Sequence, residues 1–162
     1  MKKIILSLTA FFIINASMFA QSEALGYYEN LDKALANKEN VKHLNLMYQE
    51  LTVFPKEIFQ FPNIEVLDVS HNNIVQIPEQ IQSLTKLRAL YINHNNLKIL
   101  PNSLKEMGNL ETLFIQVNPV NDDENINAKI PTSLKKIELG NPPKDFVAPK
   151  PTISNSNPTM NR

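Results

Sequence analysis

Apolar and polar residues repeat in one fixed arrangement along most of this chain. In the most regular repeats, apolar residues occupy positions 1, 4, 6, 11 and 14, and most positions between them are polar. Four repeats follow one another at an interval of 23 residues, and a shortened fifth follows after 24; they begin at Val41, Ile64, Leu87, Leu110 and Leu134. Intervals of about 20–29 residues are typical of solenoids built from a strand and a return segment.

The first half of each repeat predicts a short β-strand. In the second repeat Leu67 and Val69 alternate with Asp68, so both apolar side chains point to one face of an extended chain. A single strand of this kind cannot bury its apolar face alone. Strands stacked from successive repeats share a continuous core and pair their backbones, so we expect a parallel sheet with one strand per repeat.

A polar residue follows each predicted strand at position 9 of the repeat. Asn72, Asn95 and Asn118 occupy this position in three successive repeats, where the first repeat has Gln49 and the last has Pro142. An Asn amide both donates and accepts hydrogen bonds, so it can satisfy backbone groups that a bend removes from the sheet. We therefore expect these side chains to point inward at a bend.

The second half of the repeat predicts a short helical or 3₁₀ turn. Pro78 and Pro101 are each followed by apolar residues spaced by three. This spacing suits a 3₁₀ turn, and proline suits its start because the missing N–H is not needed there. The fourth repeat loses this half in an insert rich in Asn and acidic residues around Asp122.

These repeated positions resemble the leucine-rich repeat family, in particular its class of about 23 residues with LPxxI/L in the second half, as in small exported bacterial members. The resemblance covers residues 41–141. It implies an α/β fold, a right-handed solenoid of about four to five coils with a parallel sheet on its concave side. It implies no particular ligand.

Residues 1–20 predict a secretory signal peptide. Lys2 and Lys3 precede an apolar stretch over residues 4–14, which small residues follow. The stretch falls short of the length needed to span a bilayer, so an uncleaved anchor is the less favoured alternative. Cleavage is expected after Ala20, with Ser22 as the second candidate. The protein is thus expected to be secreted or to reside in the periplasm or cell envelope.

Three segments are expected after the signal peptide: a helical amino-terminal cap at 21–40, the solenoid at 41–141, and a disordered tail at 142–162 that is rich in Pro, Asn and Ser. An open solenoid must cover its terminal strands. In the cap, Tyr27-Tyr28 and Leu31 follow a helical spacing, and Asn30 can cap the helix start. In the tail, Phe146-Val147 could fold back over Leu139.

The net charge, the absence of Cys and the absence of known motifs limit the classes of partner, anchor and cofactor that the chain can have. Lys and Arg total 16 and Asp and Glu total 16, so the net charge does not favour nucleic acid or an anionic surface. The chain has no Cys, which excludes a Cys-linked lipid anchor. It also has no Gly-rich phosphate loop and no HExxH motif, so no cofactor is expected.

The residues beside the apolar strand positions are expected to line the concave face. Two columns recur there: Asn45, Asp68, Tyr91, Phe114 and Glu138 form one, and Tyr48, His71, His94 and Val117 form the other. Ser70, Asn93 and Gln116 are expected on the same face. We predict that the ligand-binding residues are Tyr48, Asp68, His71, Arg88, Tyr91, His94, Glu111 and Phe114. Aromatic side chains are the expected hot spots, with charged ones setting specificity.

Three catalytic or metal-binding alternatives use some of the same residues. His71 and His94 should be neighbours about 4.8 Å apart and could bind a metal with Asp68, although no fourth ligand stands at a diagnostic spacing. Asp68, Ser70 and His71 include the residue types of a hydrolase triad without its geometry. The acidic stretch 122–124 lacks the ligand spacing of a calcium loop. A polar binding face without catalytic or metal-binding residues is preferred.

The sequence therefore predicts a non-catalytic, monomeric module that binds another protein on its concave face, with no nucleic acid partner and no membrane span after signal cleavage. The first alternative is a structural or adhesion protein of the cell envelope that binds surface polymer. The second is a metal-dependent or hydrolytic enzyme.

Overall fold

A computed structural model of the 162-residue chain describes residues 21–122 and 126–138. The predicted signal peptide, the tail with Phe146-Val147, and most of the acidic stretch considered for calcium lie outside the described residues. Among the described residues, no helix has the length and apolar character needed to cross a membrane.

Six parallel strands form one open sheet in chain order. They are β1 (Tyr27–Tyr28), β2 (His43–Asn45), β3 (Val66–Asp68), β4 (Ala89–Tyr91), β5 (Thr112–Phe114) and β6 (Lys136–Glu138). The central apolar residues of β2 to β6 are in register with one another: Leu44, Leu67, Leu90, Leu113 and Ile137. The predicted parallel sheet with one strand per repeat is therefore confirmed.

The return segments contain 3₁₀-helices. They lie at Lys38–Asn40, Lys56–Gln60, Glu79–Ser83, Asn102–Glu106, Pro119–Asp122 and Ile126–Lys129. Pro78 and Pro101 immediately precede two of them with φ near −65°, the value that the proline ring fixes. The carboxylate of Glu79 accepts hydrogen bonds from the backbone N–H groups of Asn102 (3.0 Å) and Ser103 (2.8 Å). The return segments of the second and third repeats are thereby tied together.

The amino-terminal segment contains a strand as well as a helix. Asn30 precedes helix α1 (Leu31–Ala36), and its side chain accepts a hydrogen bond from the backbone N–H of Lys33 at 3.0 Å. Tyr27 and Tyr28, which the helical spacing had included, instead form β1 and pair with β2. The free edge of β2 offers backbone partners, and these outweigh the helical pattern. Gly26 turns into this strand at a φ of 84°, where a Cβ would collide with the Asn40 carbonyl oxygen.

The core consists of the repeated apolar positions, including the leucines at the centre of the strands, which have essentially no exposed surface. Burying such side chains contributes roughly 1.5–3 kcal/mol each. The sheet therefore has one face committed to the core. The opposite face is free to carry the polar and aromatic residues that lie between the apolar ones.

The predicted inward asparagines bridge successive repeats. The amide nitrogen of Asn95 donates to the carbonyl oxygens of Val69 (3.0 Å) and Ile92 (3.1 Å), and its amide oxygen accepts from the N–H of Ile74 (2.8 Å). Asn72 and Asn118 make equivalent bonds. Each amide thus satisfies backbone groups of its own repeat and of the preceding one.

The first repeat lacks its own inward asparagine. The side chain of Gln49 is exposed, and the backbone N–H of Gln49 donates instead to the side-chain oxygen of Asn72 at 3.0 Å. The same oxygen accepts from the N–H of Leu51 at 3.0 Å. The bond from Leu51 is the regular one that Ile74 and Leu97 make in the later repeats, whereas the bond from the Gln49 N–H is particular to the first repeat.

Candidate binding face

One column of side chains runs across the sheet on the face opposite the core. The strand register places Asn45, Asp68, Tyr91 and Phe114 side by side on successive strands, and the backbone of Glu138 continues this register on β6. We call this column the strand ladder. The adjacency predicted from the repeat interval is confirmed, because a constant interval brings equivalent residues to neighbouring positions.

The two aromatic rings of the strand ladder are stacked. Tyr91 and Phe114 have ring centroids 5.0 Å apart and planes 23° apart. The ammonium of Lys136 lies 4.8 Å from the centroid of the Phe114 ring. Phe114 is only 2% exposed, whereas Tyr91 is partly exposed. Phe114, expected as a contact residue, therefore supports the Tyr91 ring and offers almost no surface of its own.

Asp68 is held by the turn that follows its strand. Its Oδ1 accepts a hydrogen bond from the backbone N–H of Ser70 (2.9 Å) and another from the Ser70 hydroxyl (2.6 Å). In the preceding repeat, Oδ1 of Asn45 accepts from the N–H of Met47 at 3.0 Å. Burial raises the pKa of Asp68, and the bonds from Ser70 and the nearby His71 oppose this rise without cancelling it.

The negative charge of Asp68 acts on the pKa of two nearby tyrosines. Tyr91 is its neighbour in the strand ladder, and the Tyr27 hydroxyl accepts a hydrogen bond from the amide nitrogen of Asn45 at 3.2 Å. The Tyr27 hydroxyl also donates to Glu29 Oε1 at 3.0 Å. Burial raises the pKa of both tyrosines, and the charge of Asp68 adds to the rise. Asp68 thus has Tyr91 as its direct neighbour on β4, while Tyr27 lies beyond Asn45, two strands away in the other direction.

A second column, which we call the bend ladder, follows the strands. It consists of Tyr48, His71, His94 and Val117, which all have left-handed backbone conformations with φ between 53° and 56°. The rings of Tyr48 and His71 stack at 4.5 Å, and those of His71 and His94 at 4.2 Å. The predicted stacking of the histidines is confirmed.

The left-handed backbone of the bend ladder has no clear signal in the sequence. This region favours Gly and, to a lesser degree, Asn, Asp and His. Only the two histidines of the column belong to these types, while Tyr48 and Val117 do not. The repeat, and not the local residue preference, imposes the bend.

His71 lies close enough to Asp68 for the two charges to interact, and its pKa is shifted. Burial lowers the pKa of His71 below its usual 6.5, the proximity of His94 lowers it further, and Asp68 acts in the opposite direction. The imidazole is therefore neutral at pH 7, so it does not balance the charge of Asp68.

The arrangement of Asp68, Ser70 and His71 differs from that of a catalytic triad. Ser70 is buried, and its hydroxyl donates to the carboxylate of Asp68, whereas a nucleophilic serine would donate to the histidine. Over residues 21–122 and 126–138, no group of three or more His, Cys, Asp or Glu side chains is arranged to hold a metal ion. Asp68, His71 and His94 are close, but they do not form a coordination site.

Charged side chains surround Glu111 at the other end of the face. Its two carboxylate oxygens contact Arg88 at 3.1 Å and Lys135 at 2.9 Å. Hydrogen bonds from Lys135 and Arg88 lower the pKa of Glu111. Lys135 and the nearby Lys136 were not anticipated, although Glu138 of the same strand was placed in the first column. The negative charge of Glu111 is thus neutralised by the cations of Arg88 and Lys135.

A row of polar side chains lies beneath the two ladders. Ser70, Asn93 and Gln116, expected on the displayed face, are all buried. They directly follow the strand, where the chain turns inward, so the alternation that applies within a strand no longer holds. The amide of Gln116 has no hydrogen-bond partner within the described part of the chain. The accessible face is therefore narrower than the sequence indicated.

Comparisons with known proteins agree with this architecture. Residues 39–97 match the family model described as leucine rich repeat. The solved structure of a Leptospira interrogans LRR protein is 28% identical with a TM-score of 0.58, covering 70% of this chain. Internalin C2 of Listeria monocytogenes is 20% identical with a TM-score of 0.45; the match covers 68% of this chain and 56% of that one.

The chain spans 28% of the length of the Leptospira protein that it matches. A search of curated proteins gives no significant match. Residues 39–97 thus match the leucine-rich repeat family, and the open parallel sheet with one strand per repeat shows the fold of such repeats.

Proposed function

We propose that this protein is a non-catalytic module that binds another protein through the face formed by the strand ladder and the bend ladder. Leucine-rich repeat domains commonly serve as protein-interaction modules. The contact residues proposed are Tyr48, Asp68, His71, Arg88, Tyr91, His94 and Glu111, with Phe114 supporting Tyr91. The observation that carries the proposal is the exposed ring of Tyr48 at the end of an ordered stack.

Tyr48 is 67% exposed even though one side of its ring is stacked on His71. Exposing a large aromatic ring forgoes the free energy that burial would supply, and the left-handed backbone adds strain. The stack also restricts the ring to one orientation. A partner that covers it would lose little side-chain entropy on binding, which favours affinity.

Export forms part of the same proposal. A signal peptide at 1–20, the cap at 21–40, the repeats at 41–141 and the tail at 142–162 are the proposed segments. We infer a monomer that acts outside the cytoplasm, secreted or retained in the periplasm or cell envelope. The support is the basic and apolar amino terminus read from the sequence.

Site-directed photo-crosslinking of the full chain in cell-envelope extracts tests the binding face. A photoreactive phenylalanine analogue replaces Tyr48 in one sample and Val53 in the other. Val53 is 71% exposed but lies in a return segment. A discrete protein crosslinked from position 48 and not from position 53 is expected.

The double variant Tyr48→Ala, Tyr91→Ala should bind that protein about 10- to 100-fold more weakly, since truncating aromatic anchors is costly, while Val53→Ala should bind it normally. Undiminished binding by a folded double variant would refute this face. Retention by purified envelope polysaccharide, with no protein crosslinked, would favour the polymer-binding alternative instead.

A further inference from the structure

Two carboxylates of the binding face have opposite electrostatic surroundings. Glu111 contacts Arg88 and Lys135, so its charge is balanced within the protein. Asp68 makes no ion pair with any side chain in the described part of the chain. Holding an ionised carboxylate in a partly buried position without a cation costs folding free energy, and a cation from another molecule can offset this cost.

The hydrogen bonds of Asp68 leave one of its oxygens available. Both bonds from Ser70, at 2.9 and 2.6 Å, go to Oδ1. Within residues 21–122 and 126–138, Oδ2 receives no hydrogen bond. A carboxylate held in place by one oxygen and open at the other is suited to accept donors from a ligand.

The side chains around Asp68 add aromatic surface and no positive charge at neutral pH. Tyr91 is next to it on β4, and Tyr27 lies one strand further in the other direction, bonded to Asn45. His71 is neutral at pH 7 because burial lowers its pKa. Burial also raises the pKa of Asp68, which means that its ionised form costs stability in the isolated protein.

We propose that Asp68, together with the neighbouring ring of Tyr91, receives an arginine side chain from the partner protein. A guanidinium donates in a planar fork to a carboxylate and stacks on aromatic rings, whereas an ammonium matches only the charge. The arginine would donate to Oδ2 and stack on the ring of Tyr91, the neighbour of Asp68 in the strand ladder. This inference rests on the proposed function, because it names the chemistry that the partner presents.

Titration of the full chain with short peptides, followed by NMR, tests the arginine site without a known partner. The probes are acetyl-Gly-Arg-Gly-amide, its lysine analogue, and its citrulline analogue, which keeps the shape of arginine without the charge. The arginine peptide should cause saturable shifts in the ring signals of Tyr91, and smaller ones in those of Tyr27, which lies two strands from Asp68. The lysine peptide should bind more weakly, and the citrulline peptide should cause no saturable shift.

Asp68→Asn should weaken binding of the arginine peptide by about tenfold, because the amide keeps the bond from Ser70 and loses the charge. Glu106→Gln, an exposed carboxylate in a return segment, is the matched control and should bind normally. Equal binding of the arginine and citrulline peptides, or full binding by Asp68→Asn, would overturn the proposal.

A crosslinked partner distinguishes this inference from the proposed function. If the Tyr48→Ala, Tyr91→Ala variant loses the partner while Asp68→Asn binds it at full strength, the arginine proposal fails and the binding face stands. If the tyrosine variant also binds it at full strength, the binding face itself is refuted and the inference fails with it.

Discussion

The imidazole rings of His71 and His94 stack with their centroids 4.2 Å apart and their planes 13° apart. This separation is close to the distance of about 4.8 Å between neighbouring strands, so the pair follows directly from the repeat. Two protonated imidazoles at this distance would repel each other. Charging both rings is therefore unfavourable, and burial favours the neutral form of His71 in the folded state.

The first prediction is that acidification destabilises the fold through His71. The folded pKa of His71 lies below its unfolded value of 6.5, so the unfolded state binds more protons between these two values. Stability is therefore lost as the pH falls from 6.5 towards the folded pKa. Asp68 favours the protonated form, while His94 opposes it.

Urea unfolding at pH 7.5 and 5.5 measures this effect. The wild type should lose about 0.5 kcal/mol more than His71→Asn over this range, a small value because solvent screens the site. Asn tolerates the left-handed backbone at position 71, so the variant should fold. Identical pH dependence in both proteins would contradict the role given to His71.

The second prediction is that Asp68→Asn stabilises the isolated protein at neutral pH. The folded pKa of Asp68 lies above its usual value of 3.8, so ionisation costs the folded state stability as the pH rises from 3.8 through the folded pKa. The amide oxygen retains the acceptor for Ser70. The gain at pH 7 should be up to about 1 kcal/mol, and it should shrink as the pH falls towards 3.8.

Thermal and urea unfolding at several pH values between 4 and 7.5 check this gain, with Glu106→Gln as the surface carboxylate that should change little. A loss of stability in Asp68→Asn at pH 7 would show that the carboxylate stabilises the turn. In that case the free energy available for binding a cation at Asp68 would be smaller.

The third prediction concerns the asparagines that bridge the repeats. Asn95→Ala removes the acceptor of the Ile74 N–H and the donor to the carbonyl oxygens of Val69 and Ile92. The buried N–H of Ile74 would be left without an acceptor, while the two carbonyl oxygens would each keep one amide donor, from Asn72 and Asn118, so the variant should lose roughly 1–3 kcal/mol of unfolding free energy. Equilibrium denaturation measures the loss.

Asn96→Ala provides the control in the adjacent position. Asn96 is exposed, and only its backbone N–H is bonded, to the carbonyl oxygen of Ile74 at 2.9 Å. Its substitution should cost less than about 0.5 kcal/mol. Similar losses for the two variants would mean that the buried amide contributes no more than an exposed one.

The repeat interval predicts which residues become neighbours, but it does not predict the backbone conformation at the bend. The stacking of Tyr91 on Phe114 and of His71 on His94 follows from spacing alone, because equivalent positions fall on adjacent strands. The left-handed φ of Tyr48 does not, since it depends on how the whole repeat closes.

Side-chain burial on the face was equally difficult to predict. Phe114 occupies the same ladder as Asp68 and Tyr91, yet it is almost fully buried while they remain partly exposed. The strand that begins at Lys136 and the stacked Tyr91 ring both contribute neighbours to Phe114. The apolar pattern within one repeat does not indicate which side chains of the neighbouring repeats will cover a given residue.

The last prediction is that Val117 destabilises the fold because of its backbone. Its φ of 56° is unfavourable for a β-branched residue, whose side chain clashes with the adjacent carbonyl in the left-handed region. Val117 is 38% exposed, so the apolar burial lost on substitution offsets only part of the strain that is relieved. Val117→Asn should therefore gain about 0.5–1 kcal/mol in urea unfolding. The control Val75→Asn, at an exposed valine whose φ is not positive, should give no gain. An equal gain in both variants would show that reduced surface hydrophobicity, and not relief of backbone strain, is the cause.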